Sequence, residues 1–120
     1  MKYLIDSNII IYYLNGNYEA KDFIDKNYLD SAISIITYYE VLNFDFTSNE
    51  EEIVKSFLKS FKIIPLSNEI VEQALKNRKY KKIKMADNFI LSTAQLHNLK
   101  IVTKNIKDFS YHYSNLLEPF

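Results

Sequence analysis

Four short, apolar, largely β-branched runs recur along the chain, at Lys2 to Ile5, Ala32 to Ile36, Lys62 to Leu66 and Lys100 to Thr103. Runs of this length with little polar alternation suit strands buried on both faces. Helical patterns fill the gaps. Ile9 to Leu14 is followed by Ala20, Phe23, Ile24 and Asn27, then by Tyr38 to Phe46 and by the stripe Ile53, Val54, Phe57, Leu58 and Phe61. Further on, Ile70, Val71, Ala74 and Leu75 share one face, as do Ala86, Ile90, Thr93, Ala94 and His97. Strands that alternate with helices need crossover connections, so the pattern predicts one α/β domain over residues 1–120. Its core would be a doubly wound parallel sheet of four to five strands flanked by helices, Leu116-Leu117 supplying the short fifth strand.

One residue conflicts with burial. Asp6 sits between Tyr3-Leu4-Ile5 and the apolar run Ile9 to Leu14, where a charge is costly. Ligands of open parallel sheets bind at the carboxyl ends of the strands, and three more acids fall at such ends. Glu40 comes in the first turn after the second strand, Asp87 opens the helix before the fourth, and Asp108 follows that strand. Each has a purely structural reading as well: Asp6 and Asp87 as helix caps, Glu40 as the partner of Thr37 in a capping box. As a set, however, the four would raise one another's proton affinity unless a cation joined them. Oxygen donors of this kind suit Mg²⁺ or Mn²⁺.

Composition narrows the alternatives. Cysteine is absent and only His97 and His112 occur, which argues against thiolate or imidazole metal sites and excludes disulfides. No apolar run approaches the roughly 18 residues of a membrane helix, and Asp6 interrupts the first run too early for a secretory signal, so a cytoplasmic protein is expected. Formal net charge is zero, yet the segment KNRKYKKIK concentrates six cations between Lys76 and Lys84. They read either as a solvated helix end or as a phosphate-binding patch. Glu50-Glu51-Glu52 reads as a helix start, with Ser48 and Glu51 as its capping box.

Taken in order, YLIDSNIIIYYL, SIITYYEVLN, KMADNFILSTAQLHNLKIVTKN and KDF make nearly the whole chain resemble the PIN-domain ribonucleases, most closely the VapC-type toxins of toxin-antitoxin pairs. The resemblance implies that Asp6, Glu40, Asp87 and Asp108 are catalytic, metal-binding acids. It makes Ser7, Asn8, Thr103 and Asn105 their supporting groups, and leaves open whether Asn105 or Asp108 fills the fourth position. It further implies Mg²⁺ or Mn²⁺ as cofactor, RNA such as tRNA or ribosomal RNA as substrate, a homodimer and a cognate antitoxin. Neither the IDSN nor the YYEVLN segment holds a cation, so Lys79, Lys81, Lys82 and Lys84 become the candidates for contact with the RNA backbone. The tyrosine pairs Tyr12-Tyr13 and Tyr38-Tyr39 are expected in the core or at an interface rather than as base-stacking platforms.

Four rival readings remain. A solitary RNA-processing nuclease, or nuclease action on DNA, would use the same acids; an idle PIN-like module would bind without cutting. A phospho-receiver domain would need paired acids after the first strand and a Lys before Pro after the last, and here Thr103-Lys104-Asn105 lacks the Pro.

Overall fold

In a computed structural model describing residues 1–120, the chain runs as β1 (Tyr3–Ile5), α1 (Ser7–Leu14), α2 (Tyr18–Asn27), β2 (Ser31–Ser34), α3 (Ile35–Leu42), α4 (Ser48–Lys59) and β3 (Lys62–Ile64). It continues through α5 (Asn68–Tyr80), α6 (Met85–His97), β4 (Lys100–Val102), α7 (Ile106–Phe109) and β5 (Leu116–Leu117). All strand pairings are parallel and the order across the sheet is β3-β2-β1-β4-β5. The expected doubly wound sheet is therefore present, with five strands. Its order reverses between β1 and β4, so the two connections that leave those strands diverge and open a crevice there.

Strand pleating divides the core. Ile5, Ile33 and Val102 face a cluster built with Ile9, Ile24, Val41 and Leu58, while their neighbours Leu4, Ala32 and Ile101 face Ile90, Ala94 and Phe109. Successive strand residues thus feed opposite layers, which is why these runs are apolar without alternation. No helix is long and apolar enough to cross a membrane.

Local chemistry moves several expected boundaries. The second strand stops at Ser34 rather than Ile36, because the Ser34 side chain caps α3 by accepting from Ile36 N at 3.0 Å. Glu40 consequently lies in the second turn of α3, and Thr37 is a buried helix residue rather than its cap. The capping box of α4 is formed by Thr47 and Glu50, one residue earlier than the Ser48–Glu51 pairing predicts. Val71 and Leu75 are exposed, and only Ile70 and Ala74 of that face are buried. His97 is likewise exposed, at the end of α6 where Asn98 adopts the left-handed conformation that closes the helix.

Candidate active site

Asp6 leaves β1 at the crevice and caps α1: its backbone N–H donates to Val102 O at 2.9 Å, and Oδ1 accepts from Ser7 N at 2.8 Å. Oδ2 accepts from the Thr103 hydroxyl at 2.7 Å and from Asn8 Nδ2 at 3.0 Å. Thr103 Oγ1 in turn accepts from Asn105 N at 2.9 Å, and Asn8 Oδ1 accepts from Lys104 N at 3.2 Å. The end of β1 is thereby stitched to the turn after β4. Asp6 thus caps α1 through Oδ1, as its capping reading expects, while Oδ2 is held by side chains of the crevice.

Ser7 reaches the opposite way. Its hydroxyl donates to Glu40 Oε1 at 2.5 Å and lies 3.3 Å from Thr37 Oγ1. Thr37 belongs to this support and went unread in the sequence, because a Thr three residues before a Glu also spells a capping box. Adjacent residues at the start of α1 thus position two acids drawn from different strands' connections.

Electrostatics tie the set together. Burial pushes the Asp6 carboxyl up to about 6 against the lowering effect of Thr103 and Ser7, and the negative charges of Asp87 and Glu40 add to the rise. Asp87, half-buried in the first turn of α6, is raised by burial and then by Asp108 and Glu40, with Lys84 opposing. The four predicted acids therefore share one neighbourhood, although Asp108 and Asn105 sit exposed at its rim, on and just before α7. None of the four pairs with a cation; the chain's ion pairs are Lys21–Asp25, Lys26–Asp22, Lys55–Glu51 and Lys104–Glu118.

The acids are neighbours without forming a closed cage: no three His, Cys, Asp or Glu side chains are gathered tightly enough to hold a metal ion among themselves. That arrangement fits Mg²⁺ or Mn²⁺ better than a cation needing many protein ligands, because Mg²⁺ keeps several waters and takes one or two carboxylates. With Oδ2 filled by two donors, Oδ1 of Asp6 retains one free lone pair for such a ligand.

Two further surfaces adjoin the acids. A 540 Å³ groove has Ser7 and Glu40 at one side and Ile36, Tyr39, Phe44 and Met85 as apolar walls. Of the four tyrosines expected in the core or at an interface, Tyr13 and Tyr38 pack against the core, whereas Tyr12 and Tyr39 lie at the surface, Tyr39 67% exposed in this groove. On the other side, Lys81, Lys82 and Lys84 line a cleft with Asp87 and Asp108, whereas Lys79 remains outside it on the last turn of α5.

Comparison with known proteins agrees with this fold. Ribonuclease VapC10 of Mycobacterium tuberculosis is 27% identical over 124 residues, covering 98% of this chain and 92% of that protein. A solved toxin-antitoxin complex from Klebsiella pneumoniae contains a chain 34% identical to this one, with a TM-score of 0.87 over 99% of this chain and 98% of that one. FitAcB from Neisseria gonorrhoeae, at 23% identity, shares the fold with a TM-score of 0.84 over 98% of this chain and 97% of its own. The family model for the PIN domain matches residues 3–112, from the first strand past the last of the four acids, and the chain belongs to the PIN domain family.

Proposed function

We propose that the protein is a metal-dependent endoribonuclease and the toxin of a VapBC-type toxin-antitoxin pair, acting in the cytoplasm. The observation that carries this reading is Asp6: a buried carboxylate with no cation beside it, held in one orientation by three donors in a crevice that Glu40 and Asp87 also charge. A fold tolerates such a group where a ligand offsets its charge.

One or two of Asp6, Glu40 and Asp87 would hold Mg²⁺ or Mn²⁺ directly, the remaining acid acting through the ion's retained waters. When bound, a divalent cation supplies an activated water and offsets charge on the scissile phosphate and leaving oxygen. The remaining work falls to the chain's own groups. Thr103 and Asn8 fix the Asp6 carboxylate, and Ser7 fixes Glu40. Asp108, exposed at the rim, orients the attacking water. Asn105 keeps the Thr103 hydroxyl aimed at Asp6 by donating its backbone N–H to Oγ1. Of the cations expected at the RNA backbone, Lys81, Lys82 and Lys84 hold it and Lys79, outside their cleft, does not; phosphate contacts of this kind position a strand without reading its sequence. The substrate is RNA, tRNA or ribosomal RNA being the expected classes.

Support for an antitoxin partner comes from the solved toxin-antitoxin complex that this chain resembles at 34% identity, and from the apolar groove beside Glu40. Exposed Tyr39, Phe44 and Met85 there suit a protein segment, and a homodimer would cover further apolar surface.

Cleavage of a fluorogenic RNA by the purified chain tests the reading. Activity should require Mg²⁺ or Mn²⁺, vanish with EDTA and return when the ion is restored. Cleavage indifferent to chelation, or none at all with either ion, would overturn it.

A further inference from the structure

The cleft beside the acids carries more than the backbone contacts already given to Lys81, Lys82 and Lys84. Lys81, Lys82 and Lys84, from the α5–α6 connection, line a 170 Å³ space together with Lys107 of α7 and the acids Asp87 and Asp108. None of these lysines lies in an ion pair, whereas Lys21, Lys26, Lys55 and Lys104 all do. In a chain whose charges sum to zero, four unpaired cations against two acids make a local positive well that opens onto the catalytic edge.

The walls of the cleft are pinned. His112 Nε2 lies 3.0 Å from Asn77 O and 3.1 Å from Lys81 O, and because both are acceptors this nitrogen carries the hydrogen. One ring thus ties the end of α5 to the segment that follows α7, and the ring of Tyr80 packs edge-on against it at 5.6 Å. Lys81 Nζ stands 4.3 Å above the ring of Tyr111. Tyr80 and Tyr111 nevertheless present most of their surface to solvent, at 74% and 66% exposure. Cations that track a backbone, beside exposed aromatic faces, are what an unpaired strand needs: phosphates bind the first and bases stack on the second.

We propose that this cleft is a phosphate-binding subsite for single-stranded RNA, in which Lys82 and Lys107 grip a phosphate flanking the one the acids act on and Tyr111 stacks the adjoining base. The subsite rests on the ribonuclease reading, and the helix-end lysine Lys79 is not part of it.

The test is fluorescence anisotropy with a short, labelled, 2′-O-methylated oligoribonucleotide, which resists cleavage, in Mg²⁺ over a series of salt concentrations. The Lys82→Gln/Lys107→Gln double variant should bind about tenfold more weakly at low salt. Its slope of log affinity against log salt should be shallower by about 1.4, two contacts at roughly 0.7 each for a single strand. Tyr111→Leu should weaken binding roughly fivefold or more without altering that slope. Unchanged thermal unfolding would confirm that the variants fold. A double variant with wild-type affinity and slope, while the wild-type chain binds and cleaves RNA, overturns the subsite alone. Equal affinity for the same oligonucleotide annealed to its complement overturns its preference for single strands. A wild-type chain that neither binds nor cleaves RNA overturns the ribonuclease reading, and the subsite falls with it.

Discussion

Two regions of this molecule bury polar side chains, and they do so on opposite terms. Between α5 and α6, Asn77 Nδ2 donates to Gln95 Oε1 at 2.8 Å and to Ser92 Oγ at 3.0 Å, and Asn88 Nδ2 donates to Ala74 O at 2.8 Å. Gln73 closes the set by donating to Asn77 Oδ1 at 3.2 Å. Every group there is neutral and partnered, so the network fixes how two helices meet and asks nothing of a ligand. In the crevice between β1 and β4, Asp6 is equally buried and accepts three hydrogen bonds, yet burial still holds its carboxyl near 6. Hydrogen bonds complete the first region, but in the second they orient a charge without neutralising it. A buried polar network therefore signals function when its charge, rather than its hydrogen bonding, is left unmet.

The largest expected effect comes from removing a charge in the crevice. Asp87→Asn should reduce RNA cleavage by about 10²–10³-fold, the scale of losing one electrostatic group at a reacting centre, while circular dichroism and the unfolding midpoint show an intact fold. Cleavage at the original rate would remove Asp87 from the site and break the contrast.

Second is the pH dependence of stability without metal. The folded carboxyl of Asp6 titrates near 6 and the unfolded one near 3.8, so between those values the folded state binds more protons. Stability from this group is full below about pH 3.8 and is lost as pH rises through about 6, with a span of about 3 kcal/mol. Urea unfolding in EDTA should accordingly show a steeper loss between about pH 4 and pH 6 than the same titration with Mg²⁺, since the ion favours the ionised form. Identical slopes with and without Mg²⁺ would mean that Asp6 does not face the ion.

Third, Asn77→Ala should lower stability by roughly 1–3 kcal/mol, because Gln95 and Asn88 lose a partner inside the protein. The stabilisation gained from Mg²⁺ should stay as in the wild type, and its disappearance would show that the two regions are not independent. Smallest of all, Lys79→Gln should leave RNA affinity within twofold, as Lys79 lies outside the cleft lined by Lys81, Lys82 and Lys84. A loss as large as that of the cleft lysines would replace a defined subsite with a diffuse positive field.

Much of this architecture is legible along the chain. Uninterrupted apolar runs mark strands buried on both faces, and an acid at the end of such a run marks the edge where parallel sheets bind ligands. The misplaced boundaries have a common origin: Ser34, Thr37 and Ser48 each look able to cap, and the choice among them depends on where the chain must turn to pack. Ser34 wins because Thr37 is needed inside, beside Ser7, and Thr47 displaces Ser48 by pairing with Glu50. The tyrosines divide for the same reason. Tyr13 stacks on Phe57 in the core, while Tyr39, on α3, is left facing the groove.

By itself the sequence determined the order of the strands and longer helices, most of the faces that are buried and the presence of four acids with no cation within two positions except Lys107. These follow from periodicity and local chemistry, which act over a few residues. Only the tertiary structure decided that β4 lies against β1, so that Thr103 meets Asp6 across 97 residues of chain, and that His112 joins the end of α5 to α7's connection across 35. Sheet order is set by the packing of both helical layers at once, and no short stretch of sequence carries that information.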